Sequence, residues 1–262
     1  MRVFWKSLRD NRRGWIGWTL ALTAIAAMYS SFYPSVNNPA MSSALNAFPQ
    51  SLKEAFHLED YSKPENYFAA SVFGLLVPIL VAVFAIAIGV KAIAGDEEAG
   101  TLDLVQAHPV SRISLALQRF LAILTAMAAV AAVMCLAVIA LRGPGQFTAL
   151  SPGRIFAICL QLGLFGLFFA ALAYGVGAWT GKRIHAIAVG AAVAVLGYLG
   201  DSFFTQINGL KWTEKFSPFD WYLGGEPLKH GVQWGHAGLL LGLSALFVAL
   251  GTWRYSQRDI AV

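Results

Sequence analysis

Six apolar runs, each close to twenty residues long, constrain this chain more than any other feature. A helix of about 20 apolar residues crosses a bilayer core of about 30 Å, and the alternation typical of a membrane barrel is absent. Hydrophobic residues make up 57% of the chain and charged residues 13%, against about 45–50% and about 25% in soluble domains. The sequence therefore predicts an all-α membrane protein with six spans: Trp15–Tyr33, Tyr67–Val90, Ser114–Leu141, Ile155–Thr180, Ile184–Phe204 and Trp234–Trp253.

The distribution of Lys and Arg predicts which side of the membrane each segment faces. An even number of spans puts both termini on one side. Segments on that side carry twelve of the nineteen basic residues, and the longer opposite segments carry seven. Basic residues accumulate on the cytoplasmic side of membrane proteins, which also accounts for the net charge of +5 without a nucleic-acid partner. We predict a multi-pass protein of the cytoplasmic (inner or plasma) membrane, surrounded by lipid, with both termini cytoplasmic.

The segments between the spans are too short for a second folded domain, so residues 1–262 are interpreted as one transmembrane domain. Residues 1–13 are basic, with Phe4 and Leu8 on one side, which favours an interfacial helix; a basic flank that only fixes orientation is the alternative. Residues 205–233, on the outer side, are rich in aromatic side chains. These rings either rest at the membrane surface as an aromatic belt, or the segment dips between spans and helps to close an external gate.

The segment 95–112, between the second and third predicted spans, is acidic at its start and basic at its end. Gly100 interrupts regular backbone structure. Thr101 can cap a helix whose first turn holds Asp103, and Pro109 ends that helix. An apolar side is supplied by Leu102, Leu104 and Val105. The pattern predicts a short helix lying across the cytoplasmic ends of the two spans, with a solvated linker as the alternative.

Two motifs in this segment resemble a known family. Glu98-Ala99-Gly100-Thr101-Leu102, followed by Pro109-Val110-Ser111-Arg112, is similar to the signature of permease subunits of ABC-2-type ATP-binding-cassette transporters. The resemblance covers the whole chain and implies a type V exporter-like fold, in which this loop is the coupling helix that docks on the ATPase. The coupling residues that it implies are Glu98, Gly100, Thr101, Leu102, Leu104, Val105, Pro109 and Arg112.

The resemblance also implies partners. An ATPase would need Gly-x-x-x-x-Gly-Lys-Ser/Thr to cradle phosphates, but the one Gly-Lys pair, Gly181-Lys182, is followed by Arg183 and lacks the first Gly. ATP and Mg are therefore expected on a separate ATPase subunit, and this chain is expected to bind no cofactor and to have no catalytic residue. Six spans resemble half of the family's translocation unit, so a second permease chain, identical or paralogous, is expected.

The pathway is assigned to the first, second and fifth spans by resemblance. Its candidate residues are Phe73, Pro78, Phe84, Tyr198, Asp201 and Phe203. Asp201 is costly inside a span, with an interfacial acid as the alternative reading. Pro78, in the middle of the second predicted span, is expected to kink that helix. The five His residues show no metal-ligand spacing, so no metal site is predicted.

An aromatic, largely uncharged cavity suits the export of an amphipathic or apolar substrate, such as a drug, antibiotic, peptide or lipid-like compound. Two other classes stay open. An ion-coupled secondary carrier would need intramembrane ionisable pairs or broken helices in corresponding halves, and neither is evident. A non-transporting membrane scaffold or an embedded enzyme is the second alternative, although an enzyme would need polar residues clustered at one depth.

Overall fold

The computed structural model describes residues 2–36, 43, 47–49, 63–98, 100, 111–207 and 209–258. Within these ranges every regular element is a helix, and no strand occurs. Six helices are long and apolar enough to cross a membrane, which confirms the predicted all-α architecture with six spans. In chain order the spans lie at Arg2–Val36, Leu76–Glu98, Arg112–Ala140, Pro152–Thr180, Arg183–Ser202 and Trp234–Gln257.

The fourth span is the centre of the bundle. It packs against the second, third, fifth and sixth spans and is the most buried of the six. Small residues allow the backbones to approach closely: a Cβ on Gly89 would lie 2.4 Å from the Ala170 carbonyl oxygen, and a Cβ on Gly251 would lie 2.7 Å from the Gly175 Cα. The first span packs mainly against the third. The first and fifth spans are the least buried, so both leave broad apolar faces uncovered in a single chain.

The first span differs from the prediction in its length. The structure has one continuous helix, Arg2–Val36, instead of a separate interfacial helix at residues 1–13 followed by a span. No Gly or Pro interrupts the sequence between the basic residues and the apolar run except Gly14 and Gly17, and both lie inside the helix. A 35-residue helix is about 52 Å long, so its ends extend well beyond a hydrocarbon core.

The second span begins later than predicted. A short helix at Pro64–Ser71 precedes it, the chain turns at residues 72–75, and the helix resumes at Leu76–Val90. Pro78 therefore lies in the first turn of a helix, where its missing N–H breaks no hydrogen bond. The expectation of a Pro78 kink in mid-span is wrong; the break falls just before Pro78.

The second span also ends later than predicted. A π-helix at Lys91–Gly95 and a last helical turn at Asp96–Glu98 follow it directly, so the first four residues of the predicted loop 95–112 are helical. At the other end of the loop, Ser111 caps the third span as expected: its hydroxyl accepts a hydrogen bond from the Ser114 N–H at 3.3 Å. The connecting segment is thus residues 99–111.

The 205–233 segment divides into two parts with different surroundings. Trp212 and Phe216, in the 3₁₀-helix Lys211–Phe216, are 58% and 70% exposed. Phe219 and Tyr222 are buried, and their rings lie 5.0 and 5.2 Å from that of Phe165 in the fourth span. The exposed part fits an aromatic belt and the buried part packs into the bundle. The role of this segment as an external gate stays a prediction.

Candidate functional site

Three consecutive acidic residues close the second span, and each pairs with an arginine from a different span. Asp96 pairs with Arg119 of the third span at 2.8 Å, Glu97 with Arg258 just after the sixth span, and Glu98 with Arg183 at the start of the fifth span at 3.5 Å. We call these six residues the ion-pair cluster. It gathers four of the six spans at the end of the bundle that carries both chain termini.

Glu97 and Arg258 form the most buried pair of the ion-pair cluster. Their side chains are 11% and 14% exposed, and Arg112 donates a hydrogen bond to the Arg258 carbonyl at 2.8 Å. The pair has room because Gly181 adopts a left-handed φ of +70° and lacks a Cβ. A Cβ there would lie 2.2 Å from Arg258 Nη1 and 2.7 Å from Glu97 Oε1. The turn between the fourth and fifth spans is therefore fitted against this ion pair.

Glu98 forms the more exposed ion pair with Arg183 and also caps the fifth span. Its Oε1 accepts a hydrogen bond from the Arg183 backbone N–H at 2.8 Å, and Lys182, the residue before that helix, provides no side-chain cap. Helix N-termini leave N–H groups unsatisfied and favour a negative charge. A carboxylate from the second span thus caps the fifth span, although both side chains remain 41% and 46% exposed.

Asp96 and Arg119 complete the ion-pair cluster on the side of the third span. Arg119 is only 9% exposed and also donates to the Ala92 carbonyl within the π-helix. A π-helix frees a backbone carbonyl locally and is frequent at functional sites. The Arg119 charge is therefore neutralised inside the protein by Asp96.

The predicted coupling residues fall into two groups. Glu98, Gly100 and Arg112 lie at or beside the ion-pair cluster, and Gly100 has φ +65° with its N–H donating to the Glu97 carbonyl at 3.0 Å. The remaining predicted coupling residues lie outside the described residues: Thr101, Leu102, Leu104, Val105 and Pro109. The structure therefore describes only the two ends of the segment that holds the predicted coupling helix, and the docking of this helix on an ATPase stays a prediction.

The predicted pathway residues differ in their exposure within the single chain. Phe73, Phe84 and Pro78 are buried inside the single chain, with Phe84 stacked on Trp18 at 5.4 Å. Tyr198 contacts the ring of Phe203, which is 39% exposed. A role for these residues in a pathway stays a prediction.

Asp201 lies at the opposite end of the bundle from the ion-pair cluster. It is partly buried, and its carbonyl accepts a hydrogen bond from the Thr205 hydroxyl at 3.0 Å. Its carboxylate interacts electrostatically with Asp220 and Glu214 of the 205–233 segment. Burial raises the pKa of Asp220, the Glu214 charge raises it further, and His236 lowers it.

A second contact at that end links the 205–233 segment to the break before the second span. The Tyr222 hydroxyl donates to the Phe73 carbonyl at 3.1 Å. Tyr222 is almost fully buried, and burial raises its pKa well above the ordinary value. The neutral hydroxyl therefore serves as a permanent donor to a carbonyl in an irregular stretch of backbone.

Sequence reasoning missed the ion-pair cluster, although a signal was present. Arg119, Arg183 and Arg258 were treated as markers of membrane orientation, and the acidic run 96–98 as the start of a loop. Charges near the ends of packed spans are costly unless paired. An acidic run followed by isolated arginines on other spans of the same side therefore predicts ion pairs between spans.

Nearly the whole chain matches a family profile. A sequence profile described as "ABC-2 family transporter protein" covers residues 1–260. A comparison with curated proteins finds no match. With six helical spans, a polar connection after the second span and a profile match over nearly its full length, the chain belongs to the ABC-2 family of transporter proteins and has the architecture of its membrane-spanning permeases.

Proposed function

We propose that this chain is the permease subunit of a small ATP-driven exporter that moves an amphipathic or apolar substrate across the cytoplasmic membrane. A separate ABC ATPase would bind the connection between the second and third spans and supply the energy. The observation that supports this most directly is the ion-pair cluster, because it joins the start of that connection to three other spans.

The cluster offers a physical route for motion. Force applied at residues 99–111 would reach the second span through Glu97 and Glu98 and the third span through Arg112, which bonds to the Arg258 carbonyl. The fifth and sixth spans would follow through Arg183 and Arg258. Conformational changes in proteins include rigid-body rotations and shifts of packed helices, and through these contacts the connection would drive several spans at once.

The sequence indicates which subunit would bind ATP and which would form the membrane pathway. ATP and Mg would bind the ATPase subunit, because this chain lacks the phosphate-cradling motif. Both termini and the ion-pair cluster would face the cytoplasm, where the ATPase is. Orientation can be tested with Ser43→Cys and Lys182→Cys, since both positions are exposed and the two native cysteines are buried. Impermeant reagent should label Ser43→Cys from outside intact cells and Lys182→Cys only after permeabilisation; the reverse pattern would overturn the orientation.

A second permease chain would complete the pathway. The first and fifth spans are the least buried and expose apolar side chains, including Leu20 and Phe32 on the first span and Ile187 and Val195 on the fifth. Two chains would cover these faces and enclose a path between them. Cysteine pairs introduced at Leu20 and Val195 should cross-link between chains in membranes, whereas exclusively monomeric products would contradict this arrangement.

The coupling role can be tested by co-purification and ATPase activity with a candidate ATPase subunit. Gly100→Ala places a Cβ on a residue with φ +65°, which L residues rarely adopt. Gly143→Ala is the matched control, because Gly143 has open space and no left-handed φ. We expect Gly100→Ala to reduce transport-linked ATPase activity while Gly143→Ala leaves it unchanged; equal activity of both variants would remove Gly100 from the coupling site.

Charge reversal separates a partner contact from an internal one. Glu98→Arg should break coupling while the chain still inserts, but it also destroys the pair with Arg183. Arg183→Glu destroys the same pair and keeps Glu98. The exchange of both residues restores the side-chain ion pair with reversed polarity, but an Arg at position 98 cannot accept the hydrogen bond from the backbone N–H of residue 183. If Glu98 contacts the ATPase, the exchanged variant stays uncoupled; full recovery would mean that Glu98 acts only inside this chain.

A further inference from the structure

A cavity of about 370 Å³ opens at the terminus-bearing end of the bundle. It lies between the first span, the end of the second span and the third span. The first span packs closely on the third but makes few contacts with the second, which leaves this space between them. Its walls include Lys6, Asp10 and Trp15 from the first span, Ile88 and Lys91 from the second, and Ile123 from the third.

One part of the cavity wall is polar and carries an excess of positive charge. Lys6 and Lys91 are exposed, and the Lys91 ammonium donates to the Asn11 amide oxygen at 2.6 Å. Asp96 and Arg119 also line the cavity, but they neutralise each other as an ion pair. Two lysines then face one carboxylate, Asp10, so the polar part attracts a monoanion such as a phosphodiester.

The other part of the wall is apolar. Trp15, Ile88 and Ile123 line the same cavity. Lys6 and Trp15 are nine residues apart on one helix, which is about 14 Å along its axis. Charged groups at one end and apolar groups at the other match an amphiphile, since Lys and Trp typically lie at the head-group level of a membrane. A free inorganic anion would leave the apolar part without a partner.

We propose that this cavity binds an anionic phospholipid, with the head-group phosphate between Lys6 and Lys91 and the acyl chains beside Ile88 and Ile123. The lipid fills the gap between the first and second spans and ties the first span to the bundle. Its assignment to the inner leaflet rests on the orientation proposed above, whereas the binding itself does not. The site is separate from the predicted transport path, none of whose candidate residues lines it.

The test is native mass spectrometry of the purified full-length chain, titrated with phosphatidylglycerol or phosphatidylcholine of identical acyl chains. Each basic residue near a membrane surface strengthens binding of anionic lipid by about fivefold. We expect tighter binding of phosphatidylglycerol to the native chain and a loss of about twenty-five-fold in the double variant Lys6→Gln/Lys91→Gln. The matched control is Arg9→Gln/Lys182→Gln, which removes the same charge from exposed positions outside the cavity.

Three outcomes would overturn the proposal. Equal binding of the two lipids means that no head-group site exists. An equal loss in both double variants means that the attraction is a general property of the basic surface. Displacement of the lipid by inorganic phosphate at equal concentration means that the cavity is a phosphate site without a lipid component. The assay needs no ATPase, so its failure is distinct from a failure of the proposed coupling.

Discussion

The two ends of the bundle are held together by different chemistry. At the terminus-bearing end, three carboxylates of the second span pair with arginines of three other spans. At the opposite end, Phe219 and Tyr222 pack on Phe165, and a neutral hydroxyl bonds the Phe73 carbonyl. Exposed ion pairs are weakened by salt and can be exchanged for charged partners, whereas buried aromatic contacts are held by the exclusion of water.

This difference fits an asymmetric division of roles. An end held by charges can be rearranged when a partner supplies competing charges, because each pair exchanges one polar contact for another. An end held by buried rings must expose apolar surface to move, which costs about 25 cal/mol per Å² in water. The terminus-bearing end is therefore the better place to receive a signal, and the opposite end is the better seal.

Loss of the most buried ion pair has the largest expected effect on stability. Glu97→Gln leaves the Arg258 guanidinium, 14% exposed, without its counter-charge. Removing one partner of a buried pair costs about 3–5 kcal/mol, and the residual exposure places this pair near the lower figure. Reversible unfolding in mixed micelles measures the change. Glu226→Gln is the matched control, because its pair with Lys229 is 50% and 39% exposed; equal losses would contradict the ranking by burial.

Loss of the Tyr222 hydroxyl should weaken the opposite end by about 1–3 kcal/mol, the cost of an unsatisfied buried acceptor. Tyr222→Phe keeps the ring contacts and removes only the donor to the Phe73 carbonyl. Tyr67→Phe is the matched control, since its hydroxyl donates to the Tyr29 carbonyl within the continuous first helix. Unfolding at low and high salt should show the same loss for Tyr222→Phe; a strong salt dependence would mean that charges also hold this end.

Asp220 should make the stability of the opposite end depend on pH. Burial and the Glu214 charge raise the pKa of Asp220 above its ordinary value of 3.8, and His236 partly offsets this rise. The Asp201 carboxylate also interacts with Asp220. The folded protein then holds this proton more tightly than the unfolded chain, so stability falls as pH rises from about 3.8 to the raised pKa. Asp220→Asn should remove that fall.

The measurement for Asp220 is the difference in melting temperature between Asp220→Asn and the native chain across a pH series. The difference should grow in favour of the Asn variant as pH rises through the window and then level off. Glu226→Gln, at an exposed position, is the control: it shows how much the melting temperature changes with pH when one exposed acidic group is lost. A difference that grows as pH falls would reverse the sign and show that the folded state favours the ionised carboxylate.

The spans could be predicted from the sequence because long apolar runs have few alternative structures. The start of the second span could not, since the break at residues 72–75 is itself apolar. Its one local signal is Gly74, where a Cβ would lie 2.7 Å from the Ala69 carbonyl oxygen. Hydropathy reports apolar surroundings, whether lipid or protein, and is insensitive to a turn made of apolar residues.

The candidate site could be predicted only in part. Glu98, Gly100 and Arg112 were identified from a local motif; Glu98 belongs to the ion-pair cluster, and the other two lie beside it. Arg258 and Gly181 were not, because their contact with Glu97 joins residues more than eighty positions apart in the chain. Local spacing identifies residues on one helix, but pairs between spans depend on which helix ends the fold brings together.

The smallest expected effect on stability belongs to Glu98→Gln, and it separates structure from coupling. Its pair with Arg183 is nearly half exposed, so its loss should cost at most about 1 kcal/mol and should vanish in 1 M salt, where the Debye length is about 3 Å. Glu97→Gln should cost more in the same unfolding assay. If the ATPase binds the chain at Glu98, Glu98→Gln should reduce stimulated ATP hydrolysis more than Glu97→Gln does, which is the reverse of their order in the unfolding assay. The same order in both assays would mean that the ion-pair cluster acts only as a structural support.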